Sequence, residues 1–331
     1  MRAFEYTSPK QKQQAVGLLG QQWNDAEVLA GGSDLLGLMK DDIVHPRRLV
    51  NVKDVQELHG ITFAQQRGLR VGSLTTLIEI SEDAQVKQHY PILAQAAGDA
   101  ASPQIRNVAT VGGNMCQRPR CWWFRNGFGL LAMGSNGKSL VLEGDNRHHA
   151  ILGNDGPAYF VSPSTVAPVL IAYNARIRLF GPKGAREVPL EKFFLIPKSE
   201  NEREHDLRPN EIVTELIVPS PPSGAKAAHY EIRQKEAFDW PYATASLVLD
   251  MNGDTVRTAR VVLSHVAPVP WVSSEAAQAL AGKTISEETA DAAGAAAVAN
   301  AKSLGRNKHK IQLARVAVRR AILQAAKGGQ A

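Results

Sequence analysis

The sequence contains two loops with paired glycines, the first of which stands between an apolar segment and a helical pattern, and this arrangement limits how the chain can fold. Glycine lets backbone N–H groups approach a phosphate closely, and a helix that follows adds further donors. A diphosphate clamp is one interpretation; for the first loop, a tight turn capped by Ser33 or Asp34 is the alternative. The first glycine loop consists of Leu29, Ala30, Gly31, Gly32, Ser33, Asp34, Leu35 and Leu36, and the second of Thr110, Val111, Gly112, Gly113 and Asn114.

Neither loop has the spacing of the best-known nucleotide-binding motifs. The dinucleotide fingerprint G-x-G-x-x-G is absent from both, which disfavours a Rossmann dehydrogenase. The stretch from Gly134 to Ser139 is similar to a P-loop, but Ala132 stands where that motif requires its first glycine. We therefore expect a surface turn at residues 134–139.

The first fifty residues indicate a small α/β unit. Apolar residues at 27–30 and 48–52 predict two strands, and a helical pattern at 35–39 lies between them. Strands connected through a helix usually pair in parallel, so we expect a parallel pair here.

The rest of the chain predicts a second α/β unit, followed by a C-terminal sheet with helices. The proline-rich segment 219–224 separates the two. We therefore predict an α+β protein with a domain at 1–222, made of lobes 1–57 and 58–222, and a domain at 225–328 containing a small antiparallel sheet. The expected strands are 68–72, 175–180, 211–218, 228–233, 243–251 and 258–264, and the expected helices begin at Thr75, near Pro91, after Ser273, after Ser286 and near Ile311.

Composition disfavours several classes of protein. No segment is apolar over the roughly 18 residues that a membrane span needs, and Met1 to Lys10 do not form a secretory signal. The only cysteines, Cys116 and Cys121, argue against a disulfide framework and favour the cytoplasm. Much of the net charge of +6 lies at 306–327, where cations alternate with apolar residues. This pattern predicts a helix with one basic face rather than a nucleic-acid-binding surface.

In combination, these segments resemble the medium, FAD-binding subunits of the xanthine dehydrogenase and carbon monoxide dehydrogenase group. The resemblance covers nearly the whole chain, and the order of its motifs is more specific than either glycine pair. The matching segments are 30–36, 48–52, 72–76, 102–107, 110–114, 193–194, 210–213 and 217–219.

The resemblance implies that both glycine loops hold the pyrophosphate of FAD within a domain of the PCMH type. It also implies that Ser102, Ile105 and Arg106 lie close to FAD. Leu207 is implied to pack near the isoalloxazine ring, and the region 233–235 of the C-terminal domain, with Lys235 as its site residue, is implied to lie over the flavin. A leucine that fills a core and a solvated basic strand edge are the alternatives for these two residues.

The sequence departs from the commonest pattern of the family in two places. Thr165 follows Ser162-Pro163 where relatives often carry an aspartate that contacts the flavin, and Thr165 is expected to offer a hydrogen bond instead. Residues 118–160 form an insertion similar to that of aldehyde oxidoreductase and hydroxybenzoyl-CoA reductase subunits, which hold a [4Fe–4S] cluster there. Four thiolates are the usual requirement, so a chain with two cysteines is not expected to hold this cluster.

The insertion offers other interpretations. A zinc site made of Cys116, Cys121, His148 and His149 is conceivable, but the spacing does not match the usual zinc motifs, and we expect no metal site. Tryptophan and arginine dominate interface energetics, so the loop is expected to contact flavin or a partner subunit; a local hydrophobic cluster is the alternative. The residues concerned are Trp122, Trp123, Phe124, Arg125, Arg147 and His148.

No set of residues in the sequence indicates a catalyst of substrate oxidation. By resemblance, a large molybdopterin-binding subunit oxidises the substrate, a small subunit with two [2Fe–2S] clusters relays electrons, and FAD in this chain passes them to an external acceptor. A dimer of such heterotrimers is implied. A self-sufficient FAD-dependent oxidase and a scaffold that has lost flavin are the alternatives, and co-export with a partner would place the complex in the periplasm.

Overall fold

A computed structural model describes residues 1–235 and 238–328 as three β-sheets with helices packed on them. The strands are β1 Glu5–Thr7, β2 Ala26–Leu29, β3 Arg48–Asn51, β4 Ile61–Ala64, β5 Gly68–Gly72, β6 Arg176–Gly181, β7 Gly184–Pro189, β8 Ile212–Val218, β9 Lys226–Ile232, β10 Ala243–Asn252, β11 Thr255–Ser264 and β12 Trp271–Val272. The helices are α1 Lys12–Gly17, α2 Leu35–Lys40, α3 Leu77–Glu82, α4 Ala84–His89, α5 Pro91–Asp99, α6 Pro103–Arg106, α7 Val111–Met115, α8 Trp122–Arg125, α9 Leu140–Glu143, α10 Val166–Ala172, α11 Leu190–Phe193, α12 Ser274–Leu280, α13 Glu287–Ala297 and α14 His309–Ala326.

The first sheet is parallel, in the order β1-β3-β2. The predicted pairing of the strands near 27–30 and 48–52 is confirmed, with Val28 opposite Val50 and α2 in the connection between them. Val50 is fully buried. Because β2 ends just before the first glycine loop, this sheet determines where that loop lies.

The second sheet has the order β4-β5-β8-β6-β7, and all its neighbouring strands are antiparallel. Its core includes residues of α3, α5 and α10. The predicted helix near Thr75 begins after Thr76, whose hydroxyl caps it by accepting a hydrogen bond from Glu79 N. Strand β7 was not predicted, because most of its side chains are exposed and its apolar pattern is weak.

The third sheet is antiparallel in the order β12-β11-β10-β9, and α12, α13 and α14 share its core. The strands and helices predicted for this part of the chain are confirmed. Residues 236 and 237, inside the predicted domain 225–328, lie outside the described residues. None of the helices in the described part of the chain is long and apolar enough to cross a membrane.

The insertion at 118–160 contains only short helices and packs against both the first lobe and the C-terminal domain. Phe124 is buried with Leu38 of α2 in a small apolar cluster. On the other side, the buried Lys310 Nζ of α14 donates hydrogen bonds to the carbonyl oxygens of His148 (2.9 Å) and His149 (3.2 Å). A local hydrophobic cluster therefore holds the loop, and residues 134–139 form the expected turn.

Candidate functional site

The first glycine loop connects the end of β2 to the start of α2 and leaves its backbone donors open. Among the described residues, no hydrogen bond is made by the N–H groups of Gly31, Gly32, Ser33 or Asp34. Gly32 has a φ of +75°, a conformation that favours glycine. The loop therefore presents several N–H groups that a ligand could bind.

The second glycine loop uses its donors within the protein. Gly112 N donates to Ser73 O (2.9 Å), Gly113 N to Thr110 Oγ1 (3.2 Å) and Asn114 N to Thr110 O (2.8 Å). Gly112 and Gly113 lie within the short helix α7, whereas the sequence analysis describes them as part of a loop. The reason is that Thr110 caps a short helix by accepting from Gly113 N.

Both loops pack closely against other segments at their glycines. A Cβ atom on Gly31 would lie 1.8 Å from the carbonyl oxygen of Val108, just before the second loop, and one on Gly112 would lie 2.8 Å from Ser73 Cβ, just after β5. Neither position has room for a side chain. Gly31 thus lets the first loop approach the segment that leads into the second, as a shared binding site requires.

Two cavities meet at the loops. The first cavity lies between the parallel sheet and the segment 203–213, with Trp23 and Leu207 in its wall. The second cavity extends toward the C-terminal domain, with Arg233 and Trp240 in its wall. Both are lined by Ser33, Asp34, Gly113 and Gln117. A ligand with a central diphosphate and a ring system at each end fits this arrangement.

Most of the predicted site residues line these cavities. The first cavity is lined by Ala30, Gly31, Gly32, Leu35, Thr110, Gly112 and Leu207. The second is lined by Ser102, Ile105, Asn114 and Thr165. Both are lined by Ser33, Asp34 and Gly113. Thr165 is buried. Asn114 Oδ1 accepts a hydrogen bond from Ser164 Oγ (2.6 Å), which ties the second loop to the segment before α10.

Four predicted residues do not line either cavity. Leu29 is buried beneath the first loop, Leu36 is partly exposed at its far end, and Arg106 Nη1 donates to the carbonyls of Ala100 (3.0 Å) and Ala101 (3.2 Å). Lys235 lies in a separate open groove with Arg320 and Lys327. Arg233, of the same predicted region, lines both this groove and the second cavity.

Sequence reasoning missed a cluster of arginines around Asp34. Asp34 Oδ2 accepts from Arg118 N (2.8 Å), and Oδ1 accepts from Arg125 Nη2 (2.8 Å). Arg120 forms a salt bridge with Asp34, with Nη1 2.9 Å from Oδ1. All three partners belong to the insertion. The two hydrogen bonds join Asp34 to residues that lie 84 and 91 positions further along the chain. The basic motif at 118–125 was a signal, but it did not reveal the partner.

The first cavity has a wall of buried polar groups. Arg118 Nε pairs with Glu204 Oε1 (2.7 Å), and among the described residues Glu204 Oε2 and His205 Nδ1 have no hydrogen-bond partner. Burial lowers the pKa of His205 to about 4, so the ring is neutral near pH 7. Burial raises the pKa of the Cys116 thiol to about 12. Neither group is therefore a charged reactant at neutral pH.

The residues considered for zinc do not converge. Cys121 Sγ lies 3.2 Å from His149 Nε2, but Cys116 lines the first cavity and His148 stacks near Tyr242. Across residues 1–235 and 238–328, no three His, Cys, Asp or Glu side chains are arranged to hold a metal ion.

Comparisons with known proteins agree with this geometry. Residues 2–221 match the family described as the FAD binding domain in molybdopterin dehydrogenase. Residues 228–325 match the CO dehydrogenase flavoprotein C-terminal domain.

Individual relatives and a solved structure extend this similarity over most of the chain. The carbon monoxide dehydrogenase medium chain of Hydrogenophaga pseudoflava is 31% identical over 89% of this chain and 86% of its own length. The aldehyde oxidoreductase FAD-binding subunit of Escherichia coli is 30% identical over 82% of this chain and 84% of its own length. A structure of the Hydrogenophaga pseudoflava carbon monoxide dehydrogenase that lacks the Mo-pyranopterin moiety superposes with a TM-score of 0.78, at 30% identity and 99% coverage of both chains.

Proposed function

This chain belongs to the family of FAD-binding subunits of molybdenum-containing dehydrogenases, and from this premise we propose that it carries electrons through FAD from a partner's redox centres to an external acceptor. The observation that carries the proposal is the meeting of two cavities at a pair of glycine loops. FAD, when bound, supplies the electron chemistry by accepting and releasing electrons at its ring. The protein binds, orients and shields it.

The residues that would hold FAD follow from their positions. The open N–H groups of Gly31 to Asp34 suit the diphosphate, because several aligned donors stabilise an anion. Ser102, Ile105 and Thr165 would contact the part of FAD in the second cavity. Leu207 would contact the part in the first. Thr110 and Asn114 would support the loop from behind, and Arg106 would hold the segment 100–101.

We propose that the chain works in a complex. Its relatives include carbon monoxide dehydrogenase medium chains. The solved carbon monoxide dehydrogenase that superposes on it is a form that lacks the Mo-pyranopterin moiety of its molybdenum cofactor. The proposed partners are a large molybdopterin-binding subunit and a small subunit with two [2Fe–2S] clusters, assembled as a dimer of heterotrimers. The free thiols Cys116 and Cys121 favour the cytoplasm, with co-export to the periplasm as the alternative. The proposed domains are 1–222 and 225–328, and the family matches support this division.

Purification of the complex from its native host tests the proposal. We expect flavin absorption bands with molybdenum and iron in a preparation that contains three kinds of subunit. Flavin in a lone chain that oxidises a substrate would favour a self-sufficient oxidase. A folded chain that never binds flavin would overturn the proposal and favour a scaffold.

A further inference from the structure

We propose that Arg120 is a further FAD-binding residue: its guanidinium group contacts the diphosphate where the two cavities meet, and Asp34 positions it there. This inference rests on the proposed function, because it concerns how the same site binds FAD. The insertion would then serve the cofactor directly, with an arginine rather than with cluster-binding cysteines.

The position of Arg120 supports this assignment. Its side chain lines the second cavity, and its Nη1 lies 2.9 Å from Oδ1 of Asp34, which lines both cavities. The guanidinium group also lies over the ring of Trp240, 5.2 Å from the ring centroid. Loop, insertion and C-terminal domain therefore meet at this one side chain.

Arg120 also has a donor to spare. Its Nη2 lies 3.5 Å from Gln117 Oε1, which makes a weak contact at most. Its Nε has no hydrogen-bond partner among the described residues either, but protein atoms enclose it, so Nη2 is the donor that a ligand would use. A ligand oxygen that accepts a short hydrogen bond from Nη2 would stabilise the complex.

The neighbouring arginines are engaged elsewhere. Arg125 donates to Asp34 and to the carbonyl oxygens of Pro119 (2.8 Å) and Arg118 (3.1 Å). The Arg118 side chain is paired with Glu204. Of the three arginines around Asp34, Arg120 is thus the one that lines the second cavity.

The charges around Asp34 explain why an arginine is useful at this position. The Asp34 carboxylate stands in the same loop as the open N–H groups, and it would repel an anionic diphosphate. Arg120 and Arg125 both pair with Asp34, so two positive charges oppose one negative charge at the loop. The cluster therefore favours an anion, and Arg120 can contact it through parallel N–H donors.

Equilibrium binding to the full-length, flavin-free chain tests the inference. The probes are FAD, ADP, which carries the diphosphate without the flavin ring, and riboflavin, which carries the ring without phosphate. We expect Arg120→Gln to weaken FAD and ADP about 10-fold to 100-fold, the size of a lost hydrogen bond to a charged group, while riboflavin affinity is unchanged. Arg257→Gln is the control, because Arg257 is an exposed arginine of β11 that lies 3.7 Å from Asp250 and lines neither cavity, and we expect this variant to bind all three probes with wild-type affinity.

The outcomes separate the possibilities. Unchanged ADP affinity in a folded Arg120→Gln protein would overturn the inference, and so would a loss confined to riboflavin. If that variant does not fold, Arg120→Lys carries the test, since a lysine lacks the planar fork and is expected to weaken ADP several-fold; unchanged ADP affinity there would also overturn it. Failure of the wild-type chain to bind FAD and ADP would contradict the proposed function itself.

Discussion

The two glycine loops share a Gly-Gly pair followed by a polar residue, but their backbone donors are used differently. The first leaves the N–H groups of Gly31 to Asp34 without partners among the described residues, whereas the second donates from Gly112, Gly113 and Asn114 to the protein. A paired glycine therefore does not by itself identify a phosphate contact. What distinguishes the loops is whether the backbone donors are already satisfied.

The largest expected effect comes from closing the gap between the loops. Gly31→Ala would place a Cβ 1.8 Å from Val108 O, and backbone cannot yield cheaply, so we expect a loss of about 3 kcal/mol in the free energy of unfolding. Urea unfolding measures it. Gly37→Ala is the matched control, because Gly37 lies in α2 with open space around it. Alanine there should raise the free energy of unfolding by about 0.5 to 1 kcal/mol. Equal stabilities for the two variants would contradict the close packing of the loops.

A mutation in the first loop should affect binding rather than stability. The Ser33 hydroxyl is exposed and has no hydrogen-bond partner among the described residues, so Ser33→Ala should change stability by less than about 0.5 kcal/mol. If Ser33 contacts the diphosphate, FAD affinity should fall about 10-fold. Titration of flavin fluorescence measures the affinity. A destabilised variant with normal FAD affinity would instead indicate that the first loop supports the fold and does not contact the ligand through Ser33.

A mutation in the second loop should affect stability first. Thr110→Val removes the hydroxyl that caps α7 and leaves Gly113 N without its acceptor, at a cost of about 1 kcal/mol in the free energy of unfolding. Thermal or urea unfolding without flavin checks this. If the flavin-free variant were as stable as the wild type, the second loop would not depend on its internal hydrogen bonds, and the two loops would be more alike than the structure indicates.

Patterns that depend on neighbours in sequence were predicted well. The strands β2 and β3 and their parallel pairing follow from apolar segments joined by a helix, and the family resemblance followed from the order of motifs. The exposed edge strand β7 was missed, because its polar sequence carries little periodic signal. The position of Lys235 over the flavin stays a prediction: Lys235 lines another groove, and Arg233 of the same predicted region lines both that groove and the second cavity.

The sequence by itself determined the family, the three sheets' main strands and the residues of both glycine loops, since these depend on local apolar periodicity and on glycine's small size. Only the tertiary structure decided which N–H groups remain open, because hydrogen-bond partners such as Ser73 O come from distant segments. It also decided that Asp34 meets Arg120 and Arg125 of the insertion. The physical reason is that charge pairing and burial depend on which surfaces meet after folding, and the spacing of residues along the chain does not specify this.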